Sequence, residues 1–578
     1  MATVLFLNDR QVYPAAQQNI KLTRENPYFS DSESYTLDVS LPMDILENRS
    51  FFGNLQRMER SKRAEAMTCR LLVDNRPVIV GSAKVTQVTE KEVKVQLLGG
   101  RSEVNFLSEN NDDYVDTLPL GRCSRGGVVD TGVRVATSPI NDETSGGFSW
   151  QAQFQYNLID IFCTMLKHYG FTVVQNDLDV EPWNRIFVAS AKDTPYVSHV
   201  LPHWRPREFF TEFCHFFNVV VDIDAIRRQA RIVLAPTFFS TSDIVSIEPE
   251  DEYTAELSGE AGSALASNNI SFDLSGSEHH DYDMLQDSLR ENAPSTEYDT
   301  YADALQAYNA MTGDKGKMQV FRCPVGSFTG WDHDYTDMGE EKPKRFFTQI
   351  DVLAPLKRGI DGAAETKLKI CPVAMAETES TATFGTGDGA YTITRYYHLP
   401  SLENPTGNEW SSGRFGWQRG GESENDDDAD TPIQDYIEGN GQIEKAEKED
   451  RLQVMFVDDV PQTFFVLDSR TGRSRGTAIT GFVDWQYKKN HAGDEHRHWS
   501  MSLLPTSAEF YLGQLHRNGF SFNVKAKVHV KFLADQIPEP TRIFAFRGKL
   551  YGCEKIEASI SDGIVNPLMD GYFYEIVK

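Results

Sequence analysis

His491, Asp494, Glu495, His496 and His498 fall within eight residues of HAGDEHRHW. Histidines at i and i+2 share one face of a strand, which is one way to hold a zinc ion. No HExxH pair or cysteine pattern accompanies them. The flanking KKN and HAGD read as turn, so the expectation is an exposed polar loop. In EHHDYD, the groups Glu278, His279, His280, Asp281 and Asp283 are adjacent rather than on one face. DDDAD at 426–430 lacks the spaced acids, glycine and closing glutamate of a calcium loop. No metal site is expected.

Nucleophiles fare no better. GRSRG (Gly472, Ser474, Gly476) matches GxSxG, but a nucleophile elbow needs a helix directly after the serine. TAITGFVDW follows and reads as a strand. GTGDGA (Gly385, Gly387, Ala390) loosely fits GxGxxG/A and also runs into a strand, YTITRYYHL, against a dinucleotide loop. There is no Walker loop, and Gly146-Gly147-Phe148 and Arg419-Gly420-Gly421 show no phosphate-loop pattern. Cys163 and Cys214 lie on apolar helix faces, which favours inert thiols. Among 85 acidic residues no pair stands out for glycoside hydrolysis. The expectation is no catalytic residue, no cofactor and no enzyme.

The elements that would position any site are mostly strands. Residues 1–17 read as an arm without a strong pattern. Tyr35, Leu37, Val39 and Leu41 alternate with polar residues until Pro42, a half-buried strand. CRLLVDNRPVIVG reads as a hairpin about Asp74-Asn75, and AKVTQVTEKEVKVQLLGG as a second about Glu90-Lys91. A first β-barrel is expected over 18–112.

Residues 113–245 change period and form an α+β unit. Phe154, Leu158, Ile161, Phe162, Met165 and Tyr169 fall at helical spacing, with Gly170 as cap. FTVV and RIFVAS follow as strands. Pro206 opens a second helix bearing Phe209, Phe210, Phe213, Phe216 and Phe217, ended by Asn218. VVVDID and ARIVLA make a hairpin. The phenylalanine stripe reads as core rather than ligand box.

Residues 246–345 are an inserted mixed segment, with a strand in NNISFDLSGS and helical patches over 281–310. FFTQIDVLAPL, TKLKICPVAM and GAYTITRYYHL read as strands. Residues 402–450 are an acidic Gly/Ser/Asp-rich loop, densest at 422–430. Phe520, Phe522, Val524, Ala526, Val528, Val530 and Phe532 take every even position of a long strand. IFAFRGKLYGCEKI turns about Arg547-Gly548, Ile556, Ala558 and Ile560 alternate, and Tyr572, Tyr574 and Ile576 mark the last strand. A second β-barrel-like domain is expected from 346–401 and 451–578. The fold class is a β-rich α+β: two antiparallel β-barrel-like domains, an α+β domain and inserted segments.

Composition bounds the function. The 578 residues suggest about four domains. Aromatics at 11 % and apolar residues at 40 % suffice for real cores. No stretch of about 18 uncharged apolar residues occurs, and the opening MATVLFLNDR lacks a secretory layout. Seven single cysteines read as reduced core residues made in a cytoplasm. A net charge of −28 excludes a protein that grips nucleic acid by its phosphates.

The order of barrel, helix-plus-strand unit, insertion and second β-rich half resembles the tail hub proteins of bacteriophages: the baseplate hub of contractile tails and the tail-associated hub of prophage-type tails. IKLTRENPYFSDSESYTLDVSLPMDILENRSFFGNLQRM resembles the opening barrel of that group. FQYNLIDIFCTMLKHYGFTV with LPHWRPREFFTEFCHFFNVVVDID is similar to its α+β domain. IFAFRGKLYGCEKIEASISDGIVNPLMDGYFYEI is similar to its closing hairpin. The resemblance implies a structural virion protein at the tail tip, synthesised in a host bacterial cytoplasm. It implies a homotrimer whose barrels form a ring between the tail tube and a spike or fibre. The distal tail and tape measure proteins would be neighbours. DNA would pass without specific binding, and this chain would not insert into a membrane. The regions 255–345 and 402–450 have no counterpart in it. A receptor- or glycan-binding tail-tip protein is the alternative, with Trp331, Trp410, Trp417 and Trp499 as candidates to stack on sugars.

Overall fold

Two-residue turns set the register of the first strands. The computed structural model describes residues 3–58, 67–99, 113–257, 269–274, 295–297, 307, 319–323, 345–349, 356–357, 365–384, 391–402, 451–503, 509–517 and 521–577, apart from short stretches inside those spans. Asn8 and Asp9 both take positive φ (47° and 59°), the conformation that a tight hairpin turn needs. They join Thr3–Leu7 to Arg10–Val12 with Leu7 opposite Arg10. The opening residues, expected as an arm, are therefore a hairpin. Leu5, Leu7 and Val12 are buried, and Thr3–Leu7 also pairs with Met67–Val73. Asp74 and Asn75 repeat the device (φ 48° and 59°), turning Met67–Val73 into Arg76–Val88. Arg76–Val88 pairs in turn with Glu92–Gly99. Gly81 cannot carry a side chain there, because a Cβ would lie 2.1 Å from the Leu98 carbonyl oxygen.

This meander does not close alone. Ile20–Glu25 pairs antiparallel with Lys549–Ser561, Ile20 opposite Ile560 and Glu25 opposite Lys555. A single 15-stranded sheet thus contains both ends of the chain. Its path runs Pro249–Leu257, Ser521–Leu533, Leu568–Val577, Lys549–Ser561, Ile20–Glu25, Ser34–Thr36, Glu92–Gly99, Arg76–Val88, Met67–Val73, Thr3–Leu7 and Arg10–Val12. The path is open: among the described residues no sheet closes into a barrel. The two β-rich halves expected as separate barrels are continuous through the Ile20–Glu25 seam. Asn26 fixes that seam. Its Nδ2 donates to the carbonyls of Pro540 and Cys553, both at 2.9 Å, and its Oδ1 accepts from Tyr28 N–H at 3.0 Å.

The central α+β unit packs two helices on a six-stranded sheet. Gln153–Asn157 precedes the first helix, Leu158–His168, so Phe154 belongs to a strand rather than to the helix. The reason is the cap: the Asn157 side chain accepts from Asp160 N–H, which ends the strand where the helix begins. Gly170 follows at φ 86°. The second helix, Pro206–Phe217, opens on proline and stops at Asn218, whose φ is 50°. Phe162 stacks on Phe213 with centroids 3.8 Å apart, and Phe209 and Phe217 flank the pair.

Leu452–Val457 is buried at every residue. Leu452, Val454 and Phe456 enter the helix-side core, while Met455 and Val457 enter a second cluster with Phe187 and Leu402. Such a run needs both faces covered, and the central sheet supplies that. Leu452–Val457 pairs there with Ile186–Val188 and Ile370–Pro372. Leu452–Val457 and Ile370–Pro372 were expected in the second barrel, yet they complete the α+β unit. A smaller sheet orders Thr172–Asn176, Gln229–Leu234 and Val219–Asp224. The helical patches of 281–310 lie outside the described residues apart from 295–297, which is a strand, and 307; the acidic run 422–430 lies wholly outside.

The second helix is moored by charge. Lys369 N–H donates to Glu212 at 3.0 Å, and its Nζ donates to Glu208 at 2.6 Å. Burial pushes the Glu212 carboxyl above its ordinary range, against the lowering effect of the Lys369 bond and charge. A carboxyl raised on folding stabilises most below its unfolded pKa, and that contribution is lost as pH rises through the folded value. Glu212→Gln keeps an acceptor for Lys369 N–H and removes the buried charge. It is expected to raise the melting temperature by a few degrees at pH 7, and the gain should shrink as pH falls toward 4.5, the ordinary carboxyl value. A loss of stability at pH 7 would contradict this account.

Candidate functional site

The motifs with chemical promise come apart in the structure. Ser474 sits inside the strand Arg473–Thr480, opposite Leu467. A serine within a ladder has no helix behind it and is no nucleophile elbow. The strands Ala374–Phe384 and Tyr391–Leu402 pair with Phe384 opposite Tyr391. GTGDGA is thus the link of a hairpin, and its own residues 385–390 lie outside the described set. HAGDEHRHW also spans a hairpin, Gln486–His491 with Asp494–Ser500, so strands replace the expected loop. EHHDYD, DDDAD, Trp331, Trp410 and Trp417 lie outside the described residues. Trp499 is 3 % exposed and packs on Phe456, which removes it as a sugar platform. Among the described residues, no group of three or more His, Cys, Asp and Glu side chains is placed to hold a metal ion. No described helix is long and apolar enough to cross a membrane.

Burial governs the described thiols. Cys69, Cys123, Cys163, Cys214, Cys371 and Cys553 are all unbridged. Burial pushes the Cys163 thiol up to about 12, with Asp160 and Asp179 adding to it and Arg134 opposing. Burial likewise raises Cys123 and Cys553. A thiol held protonated is a poor nucleophile.

Two histidine–carboxylate pairs, neither marked by sequence spacing, serve packing. His203 Nδ1 lies 3.1 Å from Asp116 and its ring stacks on Tyr114 at 3.7 Å. Val115 N–H donates to the Trp204 carbonyl at 2.9 Å, so this group clamps residues 113–117 to 201–205. His529 Nε2 lies 2.9 Å from Asp570, with its ring on Tyr572 at 4.6 Å. It belongs to a polar ladder across the C-terminal strands. Lys527 pairs with Glu554 at 2.7 Å, and Lys555 pairs with Glu557 at 2.6 Å while lying 4.4 Å from the Tyr572 ring centre. Burial, then the Glu554 charge, raises the Tyr574 phenol. Lys527, His529, Lys555 and Glu557 alternate along these strands with buried Val530, Phe532, Ile556 and Ala558.

The surface that stands out is an edge. Pro249–Leu257 begins the large sheet and pairs on one side only, with Ser521–Leu533. Tyr253 through Leu257 are all exposed, with Tyr253 at 56 % and Leu257 at 82 %. Buried strands satisfy their backbone groups on both sides, whereas an open edge offers a row of donors and acceptors to another chain.

Comparison with known proteins adds little to that surface. No protein-family model and no curated protein matches the chain. Among solved structures it is similar to the 43 kDa tail protein of prophage MuSo2 from Shewanella oneidensis, at 9 % identity and a TM-score of 0.32, covering 99 % of this chain and 97 % of that one. It is also similar to a tail protein from Neisseria meningitidis MC58, at 6 % identity and a TM-score of 0.31, covering 99 % and 96 %. Likeness at this level establishes neither fold nor role.

Proposed function

We propose that this chain is a structural protein of a phage tail, a hub subunit that forms a ring joining the tail tube to the tail-tip spike or fibres. The observation that carries the reading is the sheet that takes in both chain ends and stops in an exposed strand paired on one side only. Such a sheet is incomplete alone and is completed by a neighbour. The three sequence segments that resemble hub proteins lie in the parts this sheet and the α+β unit build. In this reading the protein works as a homotrimer in the virion, next to the distal tail and tape measure proteins, and turns over no substrate. The net charge of −28 suits a conduit, since acidic walls repel passing phosphates.

The reading is tested by native mass spectrometry of the purified chain and by cryo-microscopy of assembled particles. Both should show three copies of the 65.3 kDa chain around a lumen lined by carboxylates. A monomer in intact particles, or a basic lumen, would sink it.

A further inference from the structure

Two of the open strand edges have exposed, described residues and differ in charge. The acidic one is Pro249–Leu257, which carries Glu250, Asp251, Glu252 and Glu256. The other is Thr172–Asn176, which pairs only with Gln229–Leu234. Its residues Thr172, Val174 and Gln175 are exposed, Val174 at 51 %. Lys167, His168, Arg227 and Arg228 are exposed around its N-terminal end, where Thr172 N–H meets the Arg228 carbonyl. Asp177 and Asp179 follow its C-terminal end.

We infer that Pro249–Leu257 of one copy adds as a strand to Thr172–Asn176 of the next copy; this rests on the ring reading and names its seam. Charge selects the partner. Two acidic edges meeting antiparallel about a two-fold axis at Tyr253 would set Glu250 against Glu256, which is repulsive. The far edge of the smaller sheet, Val219–Asp224, carries Asp222 and Asp224 and is also disfavoured. Arg10–Val12 is three residues long and follows Asp9, so it offers little length and no net charge. Among the edges whose side chains are described, Thr172–Asn176 combines exposed strand residues with four exposed basic residues around one end. The same charges set direction. A parallel arrangement brings Glu250 to the basic end, whereas an antiparallel one brings it to Asp177 and Asp179. Tyr253 and Leu257 would then cover Val174 and Val180, which are 51 % and 54 % exposed. The Arg227 guanidinium lies in an exposed pair with Asp224 at 3.8 Å, which is weak enough to exchange. Because the two surfaces differ, the contact is head-to-tail, the type that builds a ring when its rotation closes.

The test uses the full chain and two independent readouts. With Ala255→Cys and Val174→Cys together, mild oxidation should give a disulfide between copies, identified by peptide mass spectrometry, since paired strands bring Cα atoms within about 7 Å. Lys167→Glu with Arg227→Glu should weaken self-association at least about tenfold, and adding Glu250→Lys with Glu252→Lys should restore it. Melting temperatures of each variant check folding, and both cysteine positions are exposed. A wild-type trimer with no cross-link and no effect of charge reversal overturns this seam and leaves the ring reading standing. A wild-type chain that is monomeric in solution and in particles overturns both.

Discussion

Phe213→Ala is expected to destabilise the central unit by about 3–5 kcal/mol, the range for truncating a fully buried phenylalanine. The side chain is 0 % exposed and lies at the centre of the aromatic stack. It faces Phe162 at 3.8 Å, and Phe209 and Phe217 touch it from the same helix at 6.5 Å and 5.0 Å. Helix and sheet hold these rings from both sides, so the cavity cannot collapse easily and the cost should lie near the top of the range. Phe213→Leu refills most of the volume and should cost roughly half as much. Urea denaturation followed by near-ultraviolet circular dichroism reads both. A loss below about 1 kcal/mol for Phe213→Ala would mean that the stack is not the centre of this core.

The phenylalanine stripe, the Pro206 start and the Asn218 stop were legible because each is local: spacing, a fixed φ and a left-handed residue act within a few positions. The hairpins at Asp74-Asn75 and Arg547-Gly548 were legible for the same reason. The Asn8-Asp9 hairpin carried the same signal, a turn-prone pair between VLFL and RQV, and its shortness hid it. The shared sheet was not legible. Nothing within Ile20–Glu25 tells that its partner lies more than 500 residues away, because alternation fixes which face is buried and says nothing of which strand lies alongside. The same limit misplaced Leu452–Val457. Its uniform burial signalled a strand covered on both faces, which argued for the middle of the α+β unit rather than for a half-solvated barrel. The edge at Pro249–Leu257 was invisible for a converse reason: openness is the absence of a neighbour, and sequence does not record absences. The histidine-rich string caught the eye by composition, whereas the pairs that formed, His203 with Asp116 and His529 with Asp570, join residues 87 and 41 positions apart.

The seam between the chain ends should fail on a single substitution. Asn26 is 0 % exposed and answers three backbone groups at once: the carbonyls of Pro540 and Cys553 and the Tyr28 N–H. Asn26→Ala leaves all three buried without their partner. Each such group costs about 1–3 kcal/mol, not fully additively, so a loss of about 2–4 kcal/mol is expected. Asn26→Asp discriminates hydrogen bonding from volume. It matches the side chain in size and keeps an acceptor for Tyr28, but sets a carboxylate oxygen against two carbonyl oxygens. At pH 7 it should be at least as damaging as alanine. Burial and the facing carbonyls must raise its folded pKa, so its penalty falls as pH drops and the protonated acid donates to one carbonyl. The two variants should therefore converge or exchange order between pH 7 and pH 4, read as melting temperatures. Limited proteolysis at pH 7 should then release the first hundred residues of either variant sooner than the central helices, since Ile20–Glu25 loses its anchor to Lys549–Ser561 while the aromatic core is untouched. Equal stability of Asn26→Asp and the parent at pH 7 would show that the seam is held by strand pairing alone.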